Sequence, residues 1–200
     1  MTALDQFLQR AEYLLDRLEH LLPAEMPAPE WNASTAFRWR KRGAQASLQA
    51  VKVPATLRFD DLQHIEQQKR LIEQNTRQFV QGKPANDVLL TGALGTGKSS
   101  LIKACLQHFA DQGLRLIEVD KADMADLPDI VELVADRPEK FVLFCDDLSF
   151  EEGEAGYKAL KVALDGSIAG TSANVLIYAT SNRRHLLPEK MSKFLTTHIR

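Results

Sequence analysis

The chain has 200 residues and a mass of 22.4 kDa, which suits one domain of ordinary size with an appendage and is short for two. Its 44% hydrophobic and 26% charged residues are the balance of a soluble globular protein and not of a disordered or membrane one, and a net charge of -2 leaves any nucleic-acid binding to a local basic patch. The longest apolar runs, FVLFC at 141–145 and VLIYA at 175–179, fall far short of the roughly 20 residues that span a bilayer.

In chain order, Leu4, Leu8, Ala11, Leu15, Leu18 and Leu22 recur at alternating spacings of four and three, which predicts an amphipathic helix over 3–22. Thr2 can cap its start, and Pro23 opens PAEMPAPE, a linker that cannot continue the helix. Such a seam either packs on its own domain or pairs as a coiled coil, and in the second case it serves a homo-oligomer or a protein partner. The N-terminus carries an early acid and no basic-then-apolar stretch, so no secretory leader is visible and a cytoplasmic location is expected.

Residues 30–58 show no clean period, and 1–57 are read as a helical N-terminal segment and linker. Within them, AFRWRKRG gathers Arg38, Arg40, Lys41 and Arg42 around Phe37 and Trp39. That cluster is either a small phosphate-contacting patch for nucleic acid or a solvated edge with Trp39 in the core.

From Asp60 the pattern becomes regular. Leu62, Ile65, Leu71, Ile72 and Val80 predict a helix over 64–81, ended by Gly82 and Pro84. Strands at 87–91, 114–119, 141–146 and 174–180 then alternate with helices at 98–112, 126–135 and 154–165. This is the pattern of an α/β domain with a parallel sheet covered on both faces. Cys105 and Cys145 each fall in an apolar segment without a CxxC partner or a nearby His, as buried thiols do. The five histidines are too scattered to suggest a metal site.

Gly92-Ala93-Leu94-Gly95-Thr96-Gly97-Lys98-Ser99 fits G-x-x-x-x-G-K-S/T between a strand and a helix, with Ser100 next in that helix. In a P-loop of this kind the backbone amides cradle phosphate oxygens, the lysine reaches the β and γ phosphates, and the serine hydroxyl coordinates magnesium. The expected ligand is therefore ATP, or a closely similar nucleotide, with Mg2+. Asp146 and Asp147 end the third strand, where ligands bind in open α/β sheets. They are candidates to hold magnesium (Asp146) and to orient or deprotonate the attacking water (Asp147). Asn182, closing Ala179-Thr180-Ser181-Asn182 at the end of the fourth strand, is a candidate contact for the γ-phosphate or the lytic water.

GALGTGKS, FVLFCDDL and VLIYATSN resemble the Walker A, Walker B and sensor 1 elements of AAA+ ATPases, in that order. The stretch 58–189 looks like a bacterial AAA+ family of poorly defined role. The resemblance implies a base-binding segment at RFDDLQHIEQQK, with Ile65 as the contact, although His64 stands where many members have glycine. It also implies that Asn182 acts as sensor 1. Two departures stand out. Asp147 takes the place of the usual second acid, a glutamate, which predicts slow turnover. Only 18 residues follow Asn182, too few for the usual fifth strand and helical lid, so a truncated or divergent short form is expected, with FLTTHIR a candidate last strand. Arg183, Arg184 and Arg200 lack the context of an arginine finger. A GTPase lacks its NKxD and DxxG motifs here, and a small-molecule kinase lacks its arginine-rich lid. The remaining rival to an ATPase is a module that binds ATP, changes shape and scarcely hydrolyses it.

Overall fold

The computed structural model describes residues 3–19, 29–42, 45–52, 57–149, 155–164, 173–182 and 194–199. The Thr2 cap, the end of the first helix at 20–22, most of the linker, and Arg183, Arg184 and Arg200 lie outside these residues.

Helix α1 (Ala3–Glu19) forms over most of its predicted span. Its apolar side is uncovered among the described residues: Leu4, Phe7, Leu8, Leu14 and Leu15 are all exposed. Helix α2 (Glu66–Val80), strand β3 (Asp87–Gly92), helix α3 (Lys98–Phe109), strand β4 (Leu114–Glu118), helix α4 (Leu127–Val134), strand β5 (Lys140–Cys145), helix α5 (Ala155–Leu164) and strand β6 (Val175–Ser181) follow the predicted alternation within a few residues. The apolar residues of each strand divide by parity between two cores. Val88, Leu90, Val142, Phe144, Leu176 and Tyr178 pack with Ile72, Leu101 and Cys105 on the α2–α3 side. Leu89, Phe141, Leu143, Ile177 and Ala179 pack with Ile130, Val134 and Leu160 on the α4–α5 side. Both faces being covered is why these strands read as unbroken apolar runs rather than as alternation.

Two elements differ from the sequence expectation. Residues read as part of a helical segment and linker form a hairpin, β1 (Ala36–Arg42) and β2 (Gln45–Val51), in which β1 extends the sheet parallel to β4. The period was there in FRWRK. Phe37 and Trp39, each 1% exposed, point into one core, and Arg38 and Arg40 stand between them on the other side of the pleat. FLTTHI does form a strand, β7 (Phe194–Ile199), paired in parallel with β3 from Asp87 to Gly92, so a fifth strand of the parallel core is present.

The sheet runs β2-β1-β4-β5-β6-β3-β7, parallel at every pairing but β1–β2. From β3 the chain skips two positions to lay down β4, then fills β5 and β6 back toward β3. The register sets Thr91 opposite Ser181 and Cys145 opposite Ala179, so the loops after β3, β5 and β6 emerge together at one sheet edge. A crevice at such a reversal is where ligands of open α/β sheets bind.

Candidate nucleotide site

The loop after β3 carries the first half of the site. Gly97 is the N-cap of α3 at φ 85, a left-handed conformation that costs glycine nothing, and no side chain caps the helix start. The first-turn amides are thereby left to an incoming anion. Ala93, Leu94 and Gly95 form the exposed tip, Leu94 being 84% exposed, while Thr96 braces the loop by donating to Ala93 O at 2.9 Å. Gly92 is required for a different reason. A Cβ there would lie 2.2 Å from Ile199 O, because the backbone of β7 passes directly against it.

Lys98 is only 6% exposed, and its Nζ donates to Gly92 O at 2.9 Å, Ala93 O at 2.8 Å and Asn182 Oδ1 at 2.9 Å. All three ammonium protons are thus engaged by acceptors of the same crevice. Ser99 and Ser100 are half-buried in the first turn of α3, and Ser99 Oγ donates to Asp146 Oδ1 at 2.6 Å.

The loop after β5 supplies the acids. Asp146 and Asp147 are both exposed, and Asp147 sits at φ 49, a left-handed conformation that aspartate tolerates better than most residues. Asp146 Oδ1 accepts from Ser99, from Thr180 Oγ1 at 2.5 Å and from the Asp147 amide at 3.1 Å. The loop after β6 closes the constellation: Asn182 Nδ2 donates to Asp147 Oδ1 at 2.5 Å while its Oδ1 accepts from Lys98. Lys98, Ser99, Asp146, Asp147 and Asn182 therefore form one hydrogen-bonded network drawn from three strand ends. Thr180 and Ser181 reinforce it from beneath. Thr180 Oγ1 accepts from the Asp147 amide at 2.8 Å, and Ser181 Oγ donates to Leu148 O at 2.7 Å. Sequence reasoning placed these two polar residues at the crevice without a role. Their partners depend on the β5–β6 register, which is not written in the local sequence.

Ile65 does not present a free face. It is 5% exposed and packs with Ile72 and Val88 in the α2–α3 core, whereas half-buried Leu62 reaches to 3.9 Å of where a Cβ on Gly97 would stand. Leu62 is thus the apolar side chain of this segment that closes on Gly97. His64 adopts φ 63, a left-handed backbone conformation in which glycine would be unstrained. A separate cleft of about 540 Å³, lined by Arg58, Phe59, Asp60, Glu73 and His108, borders the C-terminal half of α3 and not the P-loop.

The hard oxygen donors at Ser99 and Asp146 suit magnesium, which is commonly held by one or two carboxylates and the substrate's phosphates rather than by a protein cage. Among the described residues there is no cluster of three or more His, Cys, Asp or Glu side chains that could hold a metal ion. Burial pushes the Cys105 and Cys145 thiols up to about 12, which suits core packing and not redox chemistry. Three cations of β1 are each paired with an acid, Arg38–Glu118 at 2.7 Å, Arg40–Asp120 at 2.9 Å and Lys41–Asp126 at 2.6 Å. Trp39, far from stacking on a base, donates its Nε1 proton to Asp126 at 3.0 Å inside the core. No described helix is long and apolar enough to cross a membrane.

Residues 32–198 match the profile of a family described as Protein of unknown function (DUF815). No curated relative matches the chain. Among solved structures it is similar to "Structure of C. elegans PCH-2", at 21% identity and a TM-score of 0.50 over 72% of this chain and 44% of that one. The chain spans less than half the length of that protein, and the likeness is one of fold. The shared architecture is a mostly parallel sheet covered by helices.

Proposed function

The chain belongs to the DUF815 family, and from that premise we propose that it binds ATP with magnesium at the loop between β3 and α3 and hydrolyses it slowly. The observation that carries this reading is the single network joining Lys98, Ser99, Asp146, Asp147 and Asn182 at the C-terminal edge of the sheet. The residues read as a P-loop lysine and serine, a Walker B acid pair and a sensor 1 asparagine are in mutual contact, which supports that reading.

In this reading the amides of 93–99 receive the β-phosphate at the α3 N-terminus, and Lys98 exchanges its contacts with Gly92 O and Ala93 O for phosphate oxygens. Ser99 Oγ and Asp146 would hold magnesium, which would supply charge neutralisation at the nucleotide phosphates. Asp147 receives the proton of the attacking water. Asn182, released from Lys98 and Asp147, turns its amide toward the γ-phosphate. Leu62 and the turn before Ile65 flank the base. Exposed helix α1, as part of an N-terminal segment separate in function from the P-loop domain, contacts a protein partner or a neighbouring subunit.

One observation favours the rival reading of a module that binds ATP and scarcely turns it over. Asp147 is one methylene shorter than a glutamate, and a misplacement of about 1 Å at a catalytic group can cost on the order of 100-fold in rate. Phosphate release from magnesium ATP, followed as protein concentration rises with Lys98→Ala as blank, separates the two. Release that exceeds the blank supports the ATPase; tight binding with no release above the blank leaves the binding module.

A further inference from the structure

We infer that Thr180 is a positioning residue for the acid pair: its buried hydroxyl sets which oxygen of Asp146 faces a bound cation and holds the backbone that presents Asp147. The inference rests on the proposed nucleotide-binding reading of the same site.

Thr180 is 1% exposed, and its single hydroxyl is used in both senses. The proton goes to Asp146 Oδ1 and the lone pair takes the Asp147 amide, at 2.5 and 2.8 Å. A rotor committed to a donor and an acceptor at once has one orientation. The β5–β6 register, with Cys145 opposite Ala179, brings the next residue of each strand face to face, which is how Thr180 reaches the acids from below.

The consequence falls on Asp146. Its Oδ1 takes three donors, from Ser99, Thr180 and the Asp147 amide, while Oδ2 takes none among the described residues and is the oxygen open to a cation. The terminal torsion of an aspartate is soft, so without a fixed donor the two oxygens interchange easily. Ser99 is itself a candidate ligand and cannot serve as a fixed donor in every state. Thr180 lies beneath the site, out of reach of solvent, and keeps its contact when nucleotide enters. For Asp147 the same hydroxyl helps to hold a peptide at φ 49, where the backbone has little preference of its own.

The test compares Thr180→Val, which keeps the shape and removes the hydroxyl, with Thr180→Ser, which keeps the hydroxyl and removes the methyl. Two quantities are measured: Mn2+ affinity in the presence of ADP, by electron paramagnetic resonance, and ADP affinity in EDTA, by calorimetry. Losing an outer group that orients a metal ligand typically weakens metal binding about 10- to 100-fold, so Thr180→Val loses that much Mn2+ affinity and keeps its metal-free ADP affinity within about twofold. Thr180→Ser binds both as the wild type does. Hydrogen exchange at the Asp147 amide quickens in Thr180→Val and not in Thr180→Ser. Wild-type Mn2+ affinity in Thr180→Val, or an equal loss in Thr180→Ser, overturns the inference. A wild-type protein that binds no ADP instead overturns the nucleotide-binding reading, and is recognised because the failure is in the wild type.

Discussion

Asp147 occupies a left-handed backbone conformation that asparagine and aspartate tolerate and longer residues tolerate less well. Its short side chain thus has a local cause: a glutamate would gain reach and lose backbone comfort. Asp147→Asn keeps the conformation and removes the proposed base, so steady-state ATP turnover is expected to fall on the order of 100-fold or more. Asp147→Glu is expected to differ from the wild type in rate while melting at a lower temperature. Equal rates in all three proteins would remove Asp147 from catalysis. Gly92 makes a sharper test of structure. Alanine there meets Ile199 O at 2.2 Å, and Gly92→Ala should lower stability in urea by about 3 kcal/mol through displaced β7 backbone, before any question of phosphate binding arises. The motif alone made Gly92 legible as a phosphate-loop glycine. That its hydrogen also makes room for a strand more than 100 residues later was not legible, because the sequence does not record which backbone passes by.

Between elements, polar side chains do the joining. Tyr178 on β6 shares its hydroxyl with Thr76 at 2.6 Å and Asn75 at 3.2 Å on α2, and Cys105 of α3 donates to Thr76 at 3.1 Å. This network lies within the α2–α3 core. Burial raises both cysteines from 9.0 to about 12, and it raises Tyr178 as well. The unfolded chain therefore releases these protons first. Their contribution to stability is complete below about pH 9 and is lost as pH rises toward 12. Urea midpoints should hold steady between pH 7 and 8.5 and fall above 9, with a shallower fall in Cys145→Ala. The β1 hairpin is joined to the 3-10 turn at Lys121–Asp126 through Trp39 and Lys41, both bonded to Asp126. Trp39→Phe should cost about 1–3 kcal/mol in thermal unfolding, since it deprives a buried carboxylate of one of its two side-chain donors. The parallel strands and their helices could be read from apolar runs and their lengths. The hairpin was obscured because its cations drew attention as a charge cluster, although each of Arg38, Arg40 and Lys41 has an acid waiting on β4 or just beyond.

At the scale of the molecule, three loops far apart in sequence meet because β6 lies between β5 and β3. Spacing and order of the motifs made that meeting predictable; the internal bonding did not follow from them. Lys98 has every proton engaged by loop carbonyls and Asn182, contacts that phosphate would have to replace in the proposed reading. In the proposed reading those contacts oppose nucleotide binding, and Asn182→Ala, which frees one of them, should weaken metal-free ATP binding less than it slows turnover. Helix α1, apolar on one side and uncovered among the described residues, adds a surface that the P-loop chemistry does not use.

Equilibrium binding of magnesium ATP to the wild type and to Lys98→Ala reaches the central claim most directly. The account predicts saturable one-to-one binding by the wild type and a loss of at least tenfold in affinity in the variant, since removing one side of a charge-assisted contact with phosphate costs about 1.5–3 kcal/mol. Equal affinity in the two proteins, or no binding by the wild type, would contradict it.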